Sequence, residues 1–135
     1  MIFGKCNIKP LSVNKCWQGK RFKTPQYKKY EQELLYILKP QPLPEPPYYI
    51  VFDFYMSSSL SDWDNPIKPL QDILQKKYGF NDKDVVTGIG NKHKVKKGEE
   101  GFTYQIMNTQ EYINYLCKIS NKLKKGGCVG DSKGV

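Results

Sequence analysis

The chain has 135 residues and a mass of 15.7 kDa, which is the size of one globular domain. Hydrophobic residues make up 39% and charged residues 26%, with 22 basic side chains against 13 acidic ones and a net charge of +9. This composition excludes wholesale disorder, and the longest apolar run, Tyr48–Phe52, is too short to cross a membrane.

The first half of the chain predicts two strands and a helix. A short strand is expected at Phe3–Ile8. A helix is expected from Thr24, the N-cap, to Leu38, where a run of prolines between residues 40 and 47 follows. Tyr48–Met56 is nearly all aromatic or β-branched, so we expect it at the centre of a sheet.

In the second half of the chain, predicted helices and strands continue to alternate. The expected elements are a helix between Asn65 and Tyr78, a glycine-interrupted strand at Val85–Val95, a hairpin turn at 97–101, a strand at Phe102–Met107 and a helix capped by Thr109 and reaching Lys125. The order β-α-β-α-β-β-α predicts an α/β fold with a mixed β-sheet flanked by helices. We expect one domain over 1–125 and a flexible C-terminal tail over 126–135.

The basic side chains are clustered. Residues 1–30 contain eight basic side chains and no acidic one, which favours a polyanionic partner such as DNA. Arg21 is the single arginine, so contacts to the phosphate backbone are expected more than bidentate reading of guanine. The expected nucleic-acid-binding residues are Lys15, Lys20, Arg21, Lys23, Lys92, Lys94 and Lys96.

Cysteine spacing argues against a zinc site. The four cysteines form no C-x-x-C pair, and the single histidine, His93, has no ligand-spaced partner. Reduced thiols in a cytoplasmic protein are expected, and Lys5 and Lys9 interrupt any secretory signal.

Aspartates are concentrated in one region. Five of the seven lie between Asp62 and Asp84, and Asp62 and Asp64 would point to one side of an extended segment. With Asp82 they predict a site for Mg²⁺, or alternatively Mn²⁺, because hard cations prefer oxygen ligands. Lys68 would lie one turn from Asp64, where its charge could stabilise a developing oxyanion.

Two simpler interpretations of this region remain open. Asp62, Asp64 and Asn65 are also typical of a loop and N-cap before a helix. Asp72 follows Lys68 by four residues, so the two could form an ordinary helical ion pair.

The region resembles the RusA-type Holliday junction resolvases, whose central motif is D-x-D-N-x-x-K-x-x-x-D-x-L followed by D-D-x-x-V. The first part is matched by Asp62, Asp64, Asn65, Lys68, Asp72 and Leu74. The second part stands as Asn81-Asp82-Lys83-Asp84-Val85, with Asn81 in place of the first acid. Pro10–Asn14 is similar to the family's opening P-x-S-x-N loop, and the resemblance covers about residues 3–107.

The resemblance implies a homodimeric, Mg²⁺-dependent endonuclease with a RusA-like domain, which resolves four-way DNA junctions by paired nicks during recombination and repair. It implies neither a small-molecule cofactor nor a membrane partner, and the family is common in prophages. The site residues it implies are the metal ligands Asp62, Asp64 and Asp82, the catalytic Lys68 and the supporting Asp72. Asp84 is the alternative to Asp82.

Other functions are also open. A broader structure-specific nuclease would use the same aspartates, and a non-catalytic protein that binds branched DNA could have kept the fold. The aromatic residues of the basic N-terminal segment could stack on opened bases, or pack in the core or in the dimer contact. These residues are Trp17, Phe22 and Tyr27.

Overall fold

Four strands form the main sheet in a computed structural model that describes residues 1–58 and 62–126. In chain order the elements are β1 (Ile2–Cys6), β2 (Trp17–Gln18), β3 (Phe22–Lys23), α1 (Pro25–Ile37), β4 (Tyr48–Met56), α2 (Ile67–Tyr78), β5 (Val85–Lys94), β6 (Gly101–Met107) and α3 (Thr109–Gly126). Two 3₁₀ turns lie at Val13–Lys15 and Asp82–Asp84. The predicted α/β class and mixed sheet are confirmed.

Strand β4 lies inside the sheet, as predicted. The strand order is β1-β6-β4-β5, with β4 parallel to β5 and antiparallel to β6. The predicted hairpin between β5 and β6 is therefore wrong, although both strands exist. The long apolar β4 pairs along both of its edges and separates the two strands that follow it in the chain.

Strand β5 carries one extra residue near its start. Tyr48 pairs with Val85 and Tyr49 with Thr87, so Val86 forms a β-bulge. This bulge lies before Gly88 and Gly90, the two glycines that were expected to interrupt the strand. Gly90 lies outside the bulge and is required for close packing, since a Cβ atom there would lie 2.8 Å from the Ile67 side chain. The missing side chain lets the start of α2 approach the sheet closely.

The core fills the face of the sheet that α1 and α2 cover. Ile50, Phe52 and Phe54 of β4 are completely buried, as are Leu70, Ile73 and Leu74 of α2. Gly79 ends α2 in the left-handed conformation (φ 77°), which glycine adopts without strain. This packing fixes the start of α2, which carries the predicted site residues.

The N-cap of helix α3 lies one residue earlier than predicted. Asn108, not Thr109, provides the cap: its Oδ1 accepts from the Glu111 amide at 2.8 Å, and Oε1 of Glu111 accepts from the Asn108 amide at 2.9 Å. Tyr112 stacks on Tyr49 of β4, with ring centroids 4.5 Å apart. Further along, the large apolar residues of the helix are exposed: Ile113, Leu116, Ile119 and Leu123.

A two-stranded hairpin, β2–β3, was not predicted from the sequence. Gly19 takes a positive φ of 69° in its turn, beside Lys20 and Arg21. Trp17 packs edge-on against Tyr27, whereas Phe22 is 72% exposed. Tyr27 is therefore a core residue, whereas Phe22 is not, and stacking of Phe22 on bases stays a prediction.

None of the described helices is both long and apolar enough to span a membrane. The predicted tail at 126–135 lies outside the described residues except for Gly126, which ends α3.

Candidate active site

The aspartate loop is joined to the N-terminal segment. The amide of Val13 donates to the backbone oxygen of Asn65 at 2.9 Å, and the Asn65 side chain donates to Oδ2 of Asp62 at 3.3 Å. The P-x-S-x-N segment and the D-x-D-N segment, far apart in sequence, therefore meet at this backbone contact.

The aspartates before α2 do not cap it. The N-cap position is occupied by Pro66 and no side chain makes a capping hydrogen bond, so the capping interpretation of Asp64 and Asn65 is wrong. Instead, the backbone oxygen of Asp64 accepts from the Ile67 amide at 3.1 Å. The carboxylates of Asp62 and Asp64 are both on exposed residues and are free of any capping role.

Lys68 brings two parts of the motif together. Its Nζ atom lies 2.9 Å from Oδ1 of Asp72 and 3.9 Å from Oδ2 of Asp82, which belongs to the 3₁₀ turn after α2. Gln71 donates to Oδ1 of Asp82 at 2.8 Å. The predicted ion pair between Lys68 and Asp72 is confirmed, and it is part of a larger cluster that includes Asp82.

Pro69 does not disturb this arrangement. It occupies the first turn of α2, where a backbone N–H would have no partner within the helix. Lys68 is therefore on a regular helix, and Gln71 and Asp72 lie one turn further on the same side. That helical spacing is the signal by which Gln71, which the sequence analysis missed, could have been found.

The charge state of Lys68 follows from its partners. The hydrogen bond to Asp72 raises the pKa of the lysine and outweighs burial, the next largest effect, which lowers it. The charges of Asp72 and Asp82 add to the rise. Lys68 is consequently cationic at neutral pH. It can neutralise charge on a phosphate, but it cannot act as a base.

Asp82 and Asp84 lie in different surroundings. Asp82 contacts Lys68 and Gln71, whereas the charge of Asp84, after burial, raises the pKa of Tyr48. Asp84 thus lies near the start of β4. Of the two, only Asp82 is joined by these contacts to the cluster of Lys68.

The carboxylate oxygens of Asp62, Asp64 and Asp82 suit a hard cation, but the three side chains do not converge as the ligands of a metal site do. Carboxylate oxygens are the ligands that Mg²⁺ prefers. Within 1–58 and 62–126, however, no three acidic, histidine or cysteine side chains converge closely enough to hold a metal ion. As they stand, Asp82 is engaged by Lys68 and Gln71, and Asp62 is engaged by Asn65.

The predicted DNA-binding residues fall into two groups. Lys15, Lys20, Arg21, Lys94 and Lys96 are exposed, whereas Lys23 and Lys92 are partly buried. Lys23 donates to both oxygens of Glu31, and Lys94 donates to the backbone oxygen of Ser57. Lys92 and Lys94 stand opposite Phe54 and Met56 in the β4–β5 register, which puts them on the sheet face that carries α2. The predicted DNA-binding residues thus belong to two separate parts of the chain, residues 15–23 and residues 92–96.

Glu31 forms two ion pairs that were not predicted from the sequence. It accepts from Lys23 at 3.0 Å and from Lys76 of α2 at 2.9 Å. Partial burial opposes ionisation, but the hydrogen bonds from Lys76 and Lys23 outweigh it and lower the pKa of Glu31. This carboxylate joins the β2–β3 hairpin, α1 and α2.

The described cysteines have no catalytic arrangement. Cys6, Cys16 and Cys117 are free thiols, in agreement with the expectation of reduced cysteines. Burial, with a smaller effect of the Asp72 charge, raises the pKa of Cys16 to about 11, which keeps it protonated and unreactive.

Comparison with known proteins assigns no family. No protein-family model matches the chain, and no curated protein matches it significantly.

Proposed function

We propose that the protein is a Mg²⁺-dependent endonuclease that resolves four-way DNA junctions, as its resemblance to the RusA-type resolvases implies. One observation carries the proposal: Lys68 contacts both Asp72 and Asp82, so the two parts of the motif meet at one place. A helical ion pair alone would not require Asp82, which is ten residues beyond Asp72 in the sequence.

The surrounding charge supports a nucleic acid substrate. The net charge is +9, yet this cluster is acidic, so lysines outside it can hold the phosphates while carboxylates remain available for a cation. Asp62, Asp64 and Asp82 would hold Mg²⁺, which when bound would activate water and stabilise the leaving oxygen. Lys68 would then neutralise charge on the scissile phosphate.

A homodimer belongs to the same proposal. Paired cuts in a nearly two-fold symmetric junction require two active sites, which a two-fold dimer provides. The exposed apolar stripe of α3 is the surface we assign to this contact with a second copy. Leu116 and Ile119, in the middle of the stripe, are 44% and 37% exposed.

A non-catalytic protein that binds branched DNA is the second candidate. It is favoured by one observation, namely that no three carboxylates converge within the described residues. A catalytic site would need the exposed carboxylates of Asp62 and Asp64 to turn toward Asp82 when a cation binds. A binding protein would need no such change.

The test is cleavage of a labelled synthetic four-way junction with and without Mg²⁺, beside a linear duplex and a flap of the same sequence. We expect symmetric nicks in the junction that depend on Mg²⁺, and an Asp64→Asn variant that binds the junction without cutting it. Cutting of the flap as readily as the junction would indicate the broader nuclease. Tight junction binding with no cleavage in Mg²⁺ or Mn²⁺ would reject the enzyme and support the binding protein.

A further inference from the structure

A cleft of mixed polar and apolar lining lies beside the aspartate loop, between residues 9–15, α1 and the end of β4. Its volume is about 630 Å³, within the roughly 300–1,000 Å³ typical of small-ligand pockets. Asp62 and Asn65 line one end of the cleft. A molecule held there would therefore lie next to the proposed catalytic cluster.

The lining offers three kinds of contact. Lys9, Lys15 and Lys29 are exposed cations, of which Lys29 has Glu33 as a distant partner at 3.8 Å. Leu11 supplies buried apolar surface. The neutral polar side chains of Asn14 and Gln26 also reach the cleft. Phosphate, the face of a base and the polar edge of a base each find a suitable group in this set.

Tyr30 gives an independent indication of a ligand. Its side chain lines the cleft from α1 and is only 5% exposed, and its hydroxyl, which lies beside the Leu11 backbone, makes no hydrogen bond of normal geometry to any described residue. A buried hydroxyl without a partner is costly, so a group that reaches it gains that free energy. Burial raises the pKa of Tyr30, and the hydroxyl therefore remains protonated and can donate.

We propose that this cleft binds one unstacked nucleotide, with its phosphate on the lysines and its base or sugar hydrogen-bonded to Tyr30. The nuclease function proposed above supplies the source, because bases beside a branch point are the least costly to unstack. The cleft would then hold the nucleotide next to the cut strand and contribute to positioning.

The first test needs no DNA cleavage. Amide NMR spectra of the full chain are recorded with each of the four deoxynucleoside monophosphates and with inorganic phosphate. We expect nucleotides to shift the signals of Ser12, Asn14 and Tyr30, and Tyr30→Phe to weaken this binding roughly five- to tenfold through loss of one hydrogen bond. Tyr36→Phe, a change on the 89% exposed side chain of the same helix, should not alter it.

Two results would overturn the nucleotide site. One is the absence of shifts at the cleft with every nucleotide, and the other is equal binding of phosphate and nucleotides, which would reduce the cleft to an anion site. Tyr30→Phe removes only the hydroxyl and keeps the buried ring, so its spectrum should remain that of a folded chain.

A second test identifies the source of the nucleotide. A four-way junction with 2-aminopurine beside the branch point should become more fluorescent when the protein binds in EDTA, and less so with Tyr30→Phe. A junction that is bound and cut without any increase rejects the cleft and leaves the nuclease intact. Nucleotide shifts without junction binding reject the nuclease and the DNA source together.

Discussion

The Nζ atom of Lys68 lies 2.9 Å from Oδ1 of Asp72, one turn further along α2, and 3.9 Å from Oδ2 of Asp82. One ammonium group thus acts as the counter-ion of carboxylates from two segments of the chain. A divalent cation that binds Asp82 has to compete with this ammonium. Lys68 therefore has two opposite effects on the proposed chemistry, since it favours the transition state and disfavours metal binding.

Lys68→Gln should separate these effects. We expect cleavage to fall by about 10²- to 10³-fold, because a charge near the scissile phosphate is lost. We also expect Mn²⁺ affinity, measured by paramagnetic broadening of amide signals, to rise several-fold. Lys83→Gln is the matched control, because it removes the same charge next to Asp82 from a side chain outside the cluster. Weaker Mn²⁺ binding by Lys68→Gln would contradict the counter-ion role.

Asp82→Asn and Asp84→Asn should behave differently. Asp82 contacts Lys68 and Gln71, whereas Asp84 lies near Tyr48, so only Asp82 belongs to the proposed site. We expect Asp82→Asn to lose junction cleavage by at least about 10²-fold and Asp84→Asn to retain it. The measurement is single-turnover cleavage in Mg²⁺. Loss of activity in Asp84→Asn alone would move the third ligand to Asp84.

The turn of the β2–β3 hairpin should contribute to DNA affinity. Lys20 and Arg21 are exposed there, beside the exposed Phe22. Replacing Lys20 and Arg21 together by alanine should weaken junction binding and reduce the slope of log affinity against log salt by about 2, since each phosphate contact contributes about 1. Binding is measured in EDTA between 50 and 200 mM salt. An unchanged slope would mean that this turn does not contact phosphates.

The α3 stripe should determine the oligomeric state. Leu116→Glu introduces a charge at the centre of the stripe and should convert a dimer into a monomer, measured by light scattering after size exclusion. Asn121→Glu, an exposed position on another side of the helix, should leave the dimer intact. Both positions are exposed, so neither change should unfold the chain. A wild-type protein that is already monomeric at high concentration would contradict the proposed contact.

Glu31 should stabilise the fold in a pH-dependent way. Because the pKa of Glu31 is lowered in the folded chain, its contribution is complete above the ordinary value of about 4.3 and is lost as the pH falls through the folded value. Glu31→Gln should therefore cost about 1–2 kcal/mol of unfolding free energy at pH 7, and less at pH 3. Urea unfolding at both pH values measures this. Glu33→Gln, at a more exposed carboxylate, should cost much less.

Local features of the chain were predictable from the sequence. The N-cap of α1 at Thr24, the end of α2 at Gly79 and the limits of β4 are determined by residues that are neighbours in the chain. The spacing of Lys68 and Asp72 likewise predicts their ion pair, because four residues make about one helical turn. Periodicity and capping act over a few residues, so the sequence alone determined them.

Only the tertiary structure decided which segments meet. The choice of β4 as the neighbour of both β5 and β6, and the approach of Asp82 to Lys68, depend on competition among contacts that are distant in sequence. The exposure of Leu116 is of the same kind, since an apolar helix face is identical in sequence whether the chain itself or a second copy covers it. Local pattern contains no information on that partner, because the free energy of burial depends on the surface that is nearby in space.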